Sequence, residues 1–351
     1  MNEMTIRMVF DRTTFHTVYG HDLLRGLRET VPAPYLLVTM RELWGISRGQ
    51  LEGEDLAHLH FVESLDLEHL NRLVVELPKA SSVIGIGGGK AMDTAKFIAS
   101  RRNLPLFQMP TIMSVDAVFG HRSAVRVGGY VHYMGWAVPE VVYVDYDIIR
   151  KAPPYLNRAG VGDVFSIHTA LYDWKLATEQ GKARIWPWDE ELASESRKVL
   201  QMVRDQTREI YEVSEKGITT LGEALRFTGA IYHNTGWNPR SVEGSEHHFF
   251  YALEYLTQKE FVHGEAVCLG ILLMSVLQDN DPEGIWRSIA DVGVRVSPQA
   301  LGVTWQDVTR ALNQTGRLAE EKGLFYTILN DREITADSIG VVKQLLGEPL
   351  R

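Results

Sequence analysis

Through the first 150 residues, short apolar runs alternate with stretches whose apolar side chains recur at helical spacing. Tyr35–Met40, Ser82–Ile86, Leu106–Met109 and Val141–Val144 are compact β-rich runs, the pattern of strands. Leu23–Thr30, Leu67–Leu77 and Lys90–Ser100 lie between or before them and read as helices. This alternation predicts βαβ units and a mainly parallel sheet. After Pro153-Pro154 the strand signals fade. Long helical patterns take over at Asp163–Thr178, Asp189–Val213, Thr219–Tyr232, His263–Gln278 and Trp305–Gly323. The expected organisation is therefore an α/β domain over residues 1–150 and an all-α domain over residues 151–351. A cleft between two such domains is a common place for a ligand. Trp237–Gly244 reads as a functional loop rather than a linker.

The strand at Ser82 ends in Gly87-Gly88-Gly89 and gives way at once to a helical pattern. A turn without side chains lets backbone amides and a helix N-terminus approach an anion such as a pyrophosphate. The same glycines also suit close strand–helix packing, so the turn alone leaves both readings open. The apolar share of 45% and charged share of 23% are those of an ordinary globular protein. A formal charge of −9, with no dense Lys/Arg run to offset it, argues against nucleic acid as a partner. The single cysteine, Cys268, excludes an intramolecular disulfide and sits in an apolar run suited to packing. No stretch approaches the roughly 20 apolar residues of a membrane helix, and Met1–Asp11 lacks a signal-peptide core. The expected location is the cytoplasm.

Asp163, His247 and His263 stand out as candidate metal ligands in the second half. Two imidazoles and a carboxylate suit a divalent transition ion with an open coordination position. The histidines are sixteen residues apart, which is about 24 Å along one straight helix. They can share an ion only if the chain reverses between them, and Thr257-Gln-Lys-Glu260 is polar enough to supply that turn. With twelve histidines in the chain, the spacing alone equally fits satisfied structural histidines.

Several separated landmarks occur in a fixed order. They are Gly87-Gly-Gly-Lys-Ala-Met-Asp93, Pro110-Thr-Ile-Met-Ser-Val-Asp116, Gly162-Asp163, Ala170-Leu-Tyr-Asp-Trp-Lys-Leu176, Gly244-Ser-Glu-His247 and His263-Gly264. In these the chain resembles the iron-containing alcohol dehydrogenase superfamily, and within it the glycerol-1-phosphate dehydrogenase branch. The resemblance implies a dehydroquinate synthase-like fold with a Rossmann-like nucleotide domain and a helical metal- and substrate-binding domain. It implies NAD or NADP as cofactor and one divalent metal, zinc first, with iron or nickel as alternatives. Carried over by position, Gly87, Gly88, Gly89, Lys90 and Asp93 would surround the pyrophosphate and adjoining ribose, and Thr111 and Ser114 would line the nicotinamide side. Asp116 would contact substrate, while Asp163, His247 and His263 would hold the metal, with Asp163 also near the substrate. Asp93 as a helix cap and Asp116 as a turn residue are the plainer alternatives. Relatives often assemble, which implies a homo-oligomer.

Four positions depart from the family pattern. Tyr251 stands where close relatives often carry a second histidine near the substrate, on the same helix face as His247. Gly120 replaces a serine, and Ile167 a frequent lysine. Arg41 follows the Tyr35–Met40 strand where an acidic residue would hold the 2′-hydroxyl of NAD; it suits a 2′-phosphate or plain solvent exposure. His121, Arg122, Arg126, Arg158, Arg240 and His248 lie near the landmarks and could meet an anionic substrate, though each also reads as an ordinary surface charge. The activity implied is hydride transfer between nicotinamide and a small polyol or polyol phosphate, with glycerol 1-phosphate and dihydroxyacetone phosphate as the leading pair. The alternative is a dehydroquinate-synthase-like sugar phosphate cyclase that uses NAD transiently, compatible with His263-Gly-Glu-Ala-Val. A non-catalytic relative is the third reading.

Overall fold

The computed structural model describes residues 15–234 and 238–348. The chain divides into two compact units, one up to Pro153 with the segment from Arg226, the other Pro154–Leu225 with the chain from Asn238.

The first unit runs β1 (His16–Gly20), α1 (Leu23–Thr30), β2 (Tyr35–Thr39), α2 (Trp44–Leu51), β3 (Leu56–Phe61), α3 (Leu67–Glu76), β4 (Ser82–Gly87), α4 (Gly89–Arg102) and β5 (Leu106–Pro110). A hairpin follows, β6 (Ser123–Val127) and β7 (Tyr130–Met134), then β8 (Pro139–Asp145) and α5 (Tyr146–Lys151). Six strands form one parallel sheet in the order β1-β8-β5-β4-β2-β3. Every residue of β2 and β4 is buried, as expected of central strands covered on both faces. Alternation along β2 divides the core. Leu36 and Val38 pack toward α3 and α4, while Tyr35 and Leu37 pack with Leu24, Leu27, Leu51 and Ile148. Gly85 sits where a Cβ would lie 2.9 Å from the Cβ of Ala95, so α4 closes directly on β4. Expected strands and helices match observed ones within a few residues. β1 and β3 were not expected, because His16-Thr-Val-Tyr-Gly and Leu56-Ala-His-Leu-His-Phe mix polar residues into edge strands.

The second unit is helical. It contains α6 (Pro154–Arg158), α7 (Val161–Phe165), α8 (Ile167–Glu179), α9 (Glu190–Arg204), α10 (Thr207–Tyr211) and the start of α11 (Glu215–Asn234), which ends in the first unit. Beyond these lie α12 (Ser245–Thr257), α13 (His263–Gln278), α14 (Pro282–Val292), α15 (Trp305–Glu321) and α16 (Ala336–Leu345). The single helices expected at Asp163–Thr178 and Asp189–Val213 are each broken in two, at Ser166 and near Asp205–Gln206. At the first break the Ser166 hydroxyl donates to the carbonyls of Asp163 and Val242, redirecting the chain just after Asp163. No helix among the described residues is long and apolar enough to cross a membrane.

His121, read from sequence as a possible anion contact, is fully buried beside Phe15 and Trp136. Burial, helped by the nearby charge of Lys96, pushes its pKa down to about 3. The unfolded imidazole titrates near 6.5, so the unfolded state binds the extra proton as pH falls below that value. Its contribution to stability is complete above about pH 6.5 and is lost toward pH 3, at roughly 1.4 kcal/mol per pH unit. Urea unfolding at pH 6.5 and 4.5 should show the wild type weakening, and His121→Gln should reduce that acid slope by about one proton. An unchanged slope would place a charged His121 in the folded protein.

Candidate functional site

Asp163 lies in the single turn of α7, His247 in the first turn of α12, and His263 opens α13. The reversal expected between the histidines is present. α12 stops at Thr257, and Gln258 takes a left-handed conformation (φ 54°) with its amide bonded to the Glu254 carbonyl. The three side chains converge, with one donor atom from each lying within 4.8 Å of the others. His263 Nε2 is 2.9 Å and His247 Nε2 4.0 Å from Asp163 Oδ1, and the imidazole centroids are 5.4 Å apart. An ion with bonds of about 2.0–2.2 Å can bridge donors up to roughly 4 Å apart, which both histidine-to-Asp163 distances satisfy, and an N, N, O donor set suits a divalent transition metal.

Glycines allow the convergence. A Cβ on Gly162 would come 2.5 Å from the Gly264 Cα, and one on Gly264 would collide with the carbonyl oxygen of Ala159. Backbone therefore lies on backbone where α7 meets α13, one residue from Asp163 and one from His263. Gly244, ahead of α12, has no room for a Cβ either, because Asp173 Oδ2 and Glu246 Oε2 would be 2.7 and 2.8 Å away.

The surroundings are charged and buried. Burial pulls the His247 imidazole toward neutrality, but its hydrogen bond to Glu246 and the charges of Glu246, Glu243 and Asp163 outweigh this and raise its pKa to about 9. Glu246, wholly buried, has its Oε1 2.9 Å from His247 Nδ1. Asp173 accepts from the amide and hydroxyl of Ser245 and from the Ile328 amide, and burial together with Glu246 raises its pKa to about 6. Tyr251 shares a face with His247, as its four-residue spacing predicts, at 6.2 Å between rings. Its hydroxyl donates to Glu243 Oε1 at 2.9 Å. Phe250 sets its ring edge-on to His263 at 4.5 Å. Ile167 is a core residue at the start of α8.

In the first unit, Gly87 ends β4 at φ 153°, a backbone state few other residues adopt, and a Cβ there would stand 2.8 Å from Ala91 Cβ. Gly88 caps α4 without a side-chain bond, and no acidic residue occupies the first turn that Gly89 and Lys90 begin. An anion would meet amides and the positive end of the helix there. Asp93 sits deeper, nearly buried and 2.8 Å from the ammonium of Lys96, which also donates to the Arg122 carbonyl. Burial raises the Asp93 pKa and Lys96 partly offsets it. Thr111 and Ser114 are buried in the segment after β5, and Asp116 begins a short 3-10 turn. Arg41, exposed past the end of β2, stacks 4.5 Å from the centre of the Phe61 ring.

Two other basic groups are not the surface charges that sequence allowed. Arg240 is 1% exposed and His248 3%. Arg240 donates through Nη2 to the carbonyls of Asp173 and Tyr326, and burial lowers its pKa to about 10. Burial, then the charges of Arg240 and His247, lowers that of His248 to about 3.

Residues 45–153 match the family model of the iron-containing alcohol dehydrogenases. A glycerol-1-phosphate dehydrogenase (NAD(P)+) of Nitrosopumilus maritimus is 31% identical over 278 residues, covering 79% of this chain and 76% of that protein. The chain belongs to the iron-containing alcohol dehydrogenase family. It is an oxidoreductase of that family, and the cyclase alternative is not favoured. A glycerol-1-phosphate dehydrogenase (NAD(P)+) of Thermoplasma volcanium is 28% identical and covers 93% of this chain and 95% of its own. The fold also matches a glycerol dehydrogenase structure from Schizosaccharomyces pombe, with a TM-score of 0.70 at 21% identity, over 95% of this chain and 90% of that one.

Sequence reasoning missed the glycine contacts and Glu246. The signal was present, since Gly162, Gly244 and Gly264 each stand one to three residues from a candidate ligand. Gly264→Ala should cost about 1–3 kcal/mol or more in urea unfolding and abolish metal uptake, because backbone at Ala159 must move. Gly26→Ala, in α1 with open space around it, should be neutral or stabilising by up to about 1 kcal/mol. Equal effects of the two would show that the close approach does not hold the site.

Proposed function

We propose that this protein is a zinc-dependent glycerol-1-phosphate dehydrogenase that interconverts glycerol 1-phosphate and dihydroxyacetone phosphate with NAD(P). The convergence of Asp163, His247 and His263 carries the reading, supported by the activity for which the relatives are named. Iron and nickel are alternative ions for this N, N, O set. In this reading the enzyme is cytoplasmic and assembles as a homo-oligomer.

When bound, the divalent ion supplies a Lewis acid that polarises the substrate oxygen. Asp163, His247 and His263 would hold it, with Asp163 also near the substrate. Tyr251, braced by Glu243, offers a buried phenol beside His247 and would orient substrate rather than carry charge. The open helix N-terminus at Gly88-Gly89, with Gly87 and Lys90, would bind the pyrophosphate, and Asp93 would fix the neighbouring backbone through Lys96. Thr111 and Ser114 would line the nicotinamide side, Asp116 would contact substrate, and Arg41 would meet the adenine end, where its charge favours a 2′-phosphate.

Reduction of dihydroxyacetone phosphate by the zinc-loaded protein, followed as loss of NADH or NADPH absorbance, should show robust turnover. His263→Ala should lose both metal and turnover while remaining folded. Full activity of that variant without metal would overturn the triad. Arg41→Ala should raise KM for NADPH by about 10–100-fold, the loss of one charge-assisted contact, with little change for NADH. An equal effect on both would remove Arg41 from 2′-phosphate recognition.

A further inference from the structure

We infer that Glu246 is a positioning residue for the metal centre, holding His247 with its proton on Nδ1 and its Nε2 lone pair turned toward the ion. The inference rests on the reading of Asp163, His247 and His263 as ligands.

Glu246 is wholly buried and its carboxylate is met by donors on both oxygens. Oε1 accepts from the Gly244 amide at 2.6 Å and faces His247 Nδ1 at 2.9 Å, while Oε2 accepts from the Thr169 hydroxyl at 2.6 Å. Both carboxylate oxygens already accept from other donors, so the hydrogen shared with His247 is assigned to Nδ1. A ring that keeps this proton on Nδ1 can release only the one on Nε2, which frees for a metal the lone pair on Nε2. That is the atom 4.0 Å from Asp163 Oδ1, which His263 Nε2 approaches from 2.9 Å. The contact therefore selects the tautomer and fixes the plane of the ring.

The charge has a cost that helix capping alone would not justify. A second buried carboxyl, Asp173, lies close enough for Glu246 to help raise its pKa, so two acidic groups share this buried region. A neutral side chain could accept the Gly244 amide without that repulsion. The space is also shaped around Glu246. A Cβ on Gly244 would lie 2.8 Å from its Oε2, and one on Gly270 would lie 2.8 Å from its backbone oxygen. A buried carboxylate bonded to a ligand histidine raises the basicity of the ring and holds its orientation. Losing such a partner commonly costs 10–100-fold in metal affinity.

The test is titration of the metal-free full-length protein with Co(II), read by its visible absorption, and with Zn(II) against a chromophoric chelator. Wild type should bind one ion and His263→Ala none at that site. Glu246→Gln keeps the shape and removes the charge, so it should bind about 10–100-fold more weakly with a shifted Co(II) band. Thr169→Val keeps the charge and drops one donor, so its loss should be smaller. Wild-type affinity and an unshifted band in Glu246→Gln would reduce Glu246 to a cap and overturn the inference, leaving the triad intact. Failure of wild type to bind, or wild-type binding by His263→Ala, would instead overturn the triad. If Glu246→Gln does not fold, long-range proton–nitrogen NMR of zinc-loaded wild type decides. His247 protonated at Nδ1 and ligated through Nε2 is expected; ligation through Nδ1 would overturn the proposal.

Discussion

The candidate metal centre depends on main chain touching main chain. α7 and α13 meet at Gly162 and Gly264 with no side chain between them, and Gly264 lies directly on the Ala159 carbonyl. Helices separated by ordinary side chains run about 8–10 Å apart. At that spacing the short carboxylate of Asp163 would fall away from His263. Glycine removes the intervening atoms, and Asp163 Oδ1 then reaches His263 Nε2 at 2.9 Å. The position of the candidate ligands is thus a property of backbone packing.

Around that contact the helical unit buries charge and compensates it locally. Asp163, Glu246 and Asp173 are all nearly or wholly inaccessible, as are His247 and Arg240. Two of the carboxylates are met by specific partners: Ser245 and Ile328 for Asp173, and Gly244, Thr169 and His247 for Glu246. Arg240 bonds the carbonyls of Asp173 and Tyr326 through Nη2. Low-dielectric surroundings strengthen these bonds and make any unmet group costly, so the network leaves few alternative arrangements.

The nucleotide-type turn uses glycine differently. At Gly87 the need is conformational, a φ of 153°, whereas Gly85 and Gly88 leave room for Ala95 and Ile112. Packing and anion binding, which the sequence left as competing explanations, are compatible here. The glycines bring α4 against β4 and also leave its first turn without a side-chain cap.

Much of this was legible in the chain. Central strands and the long helices announce themselves by period, because each must bury a continuous face. Ordered landmarks were enough to indicate the family, and the polar stretch at Thr257–Glu260 did reverse the chain between the histidines. Tertiary structure decided what depends on contacts distant in sequence. It put His16–Gly20 and Leu56–Phe61 at the sheet edges, broke two expected helices, and buried His121, Arg240 and His248. It also brought the Thr169 hydroxyl, 77 residues away in sequence, onto Glu246, whose carboxylate meets His247. Periodicity records which face of an element is buried. The partners found there depend on how closely two backbones approach, and only the folded chain sets that distance.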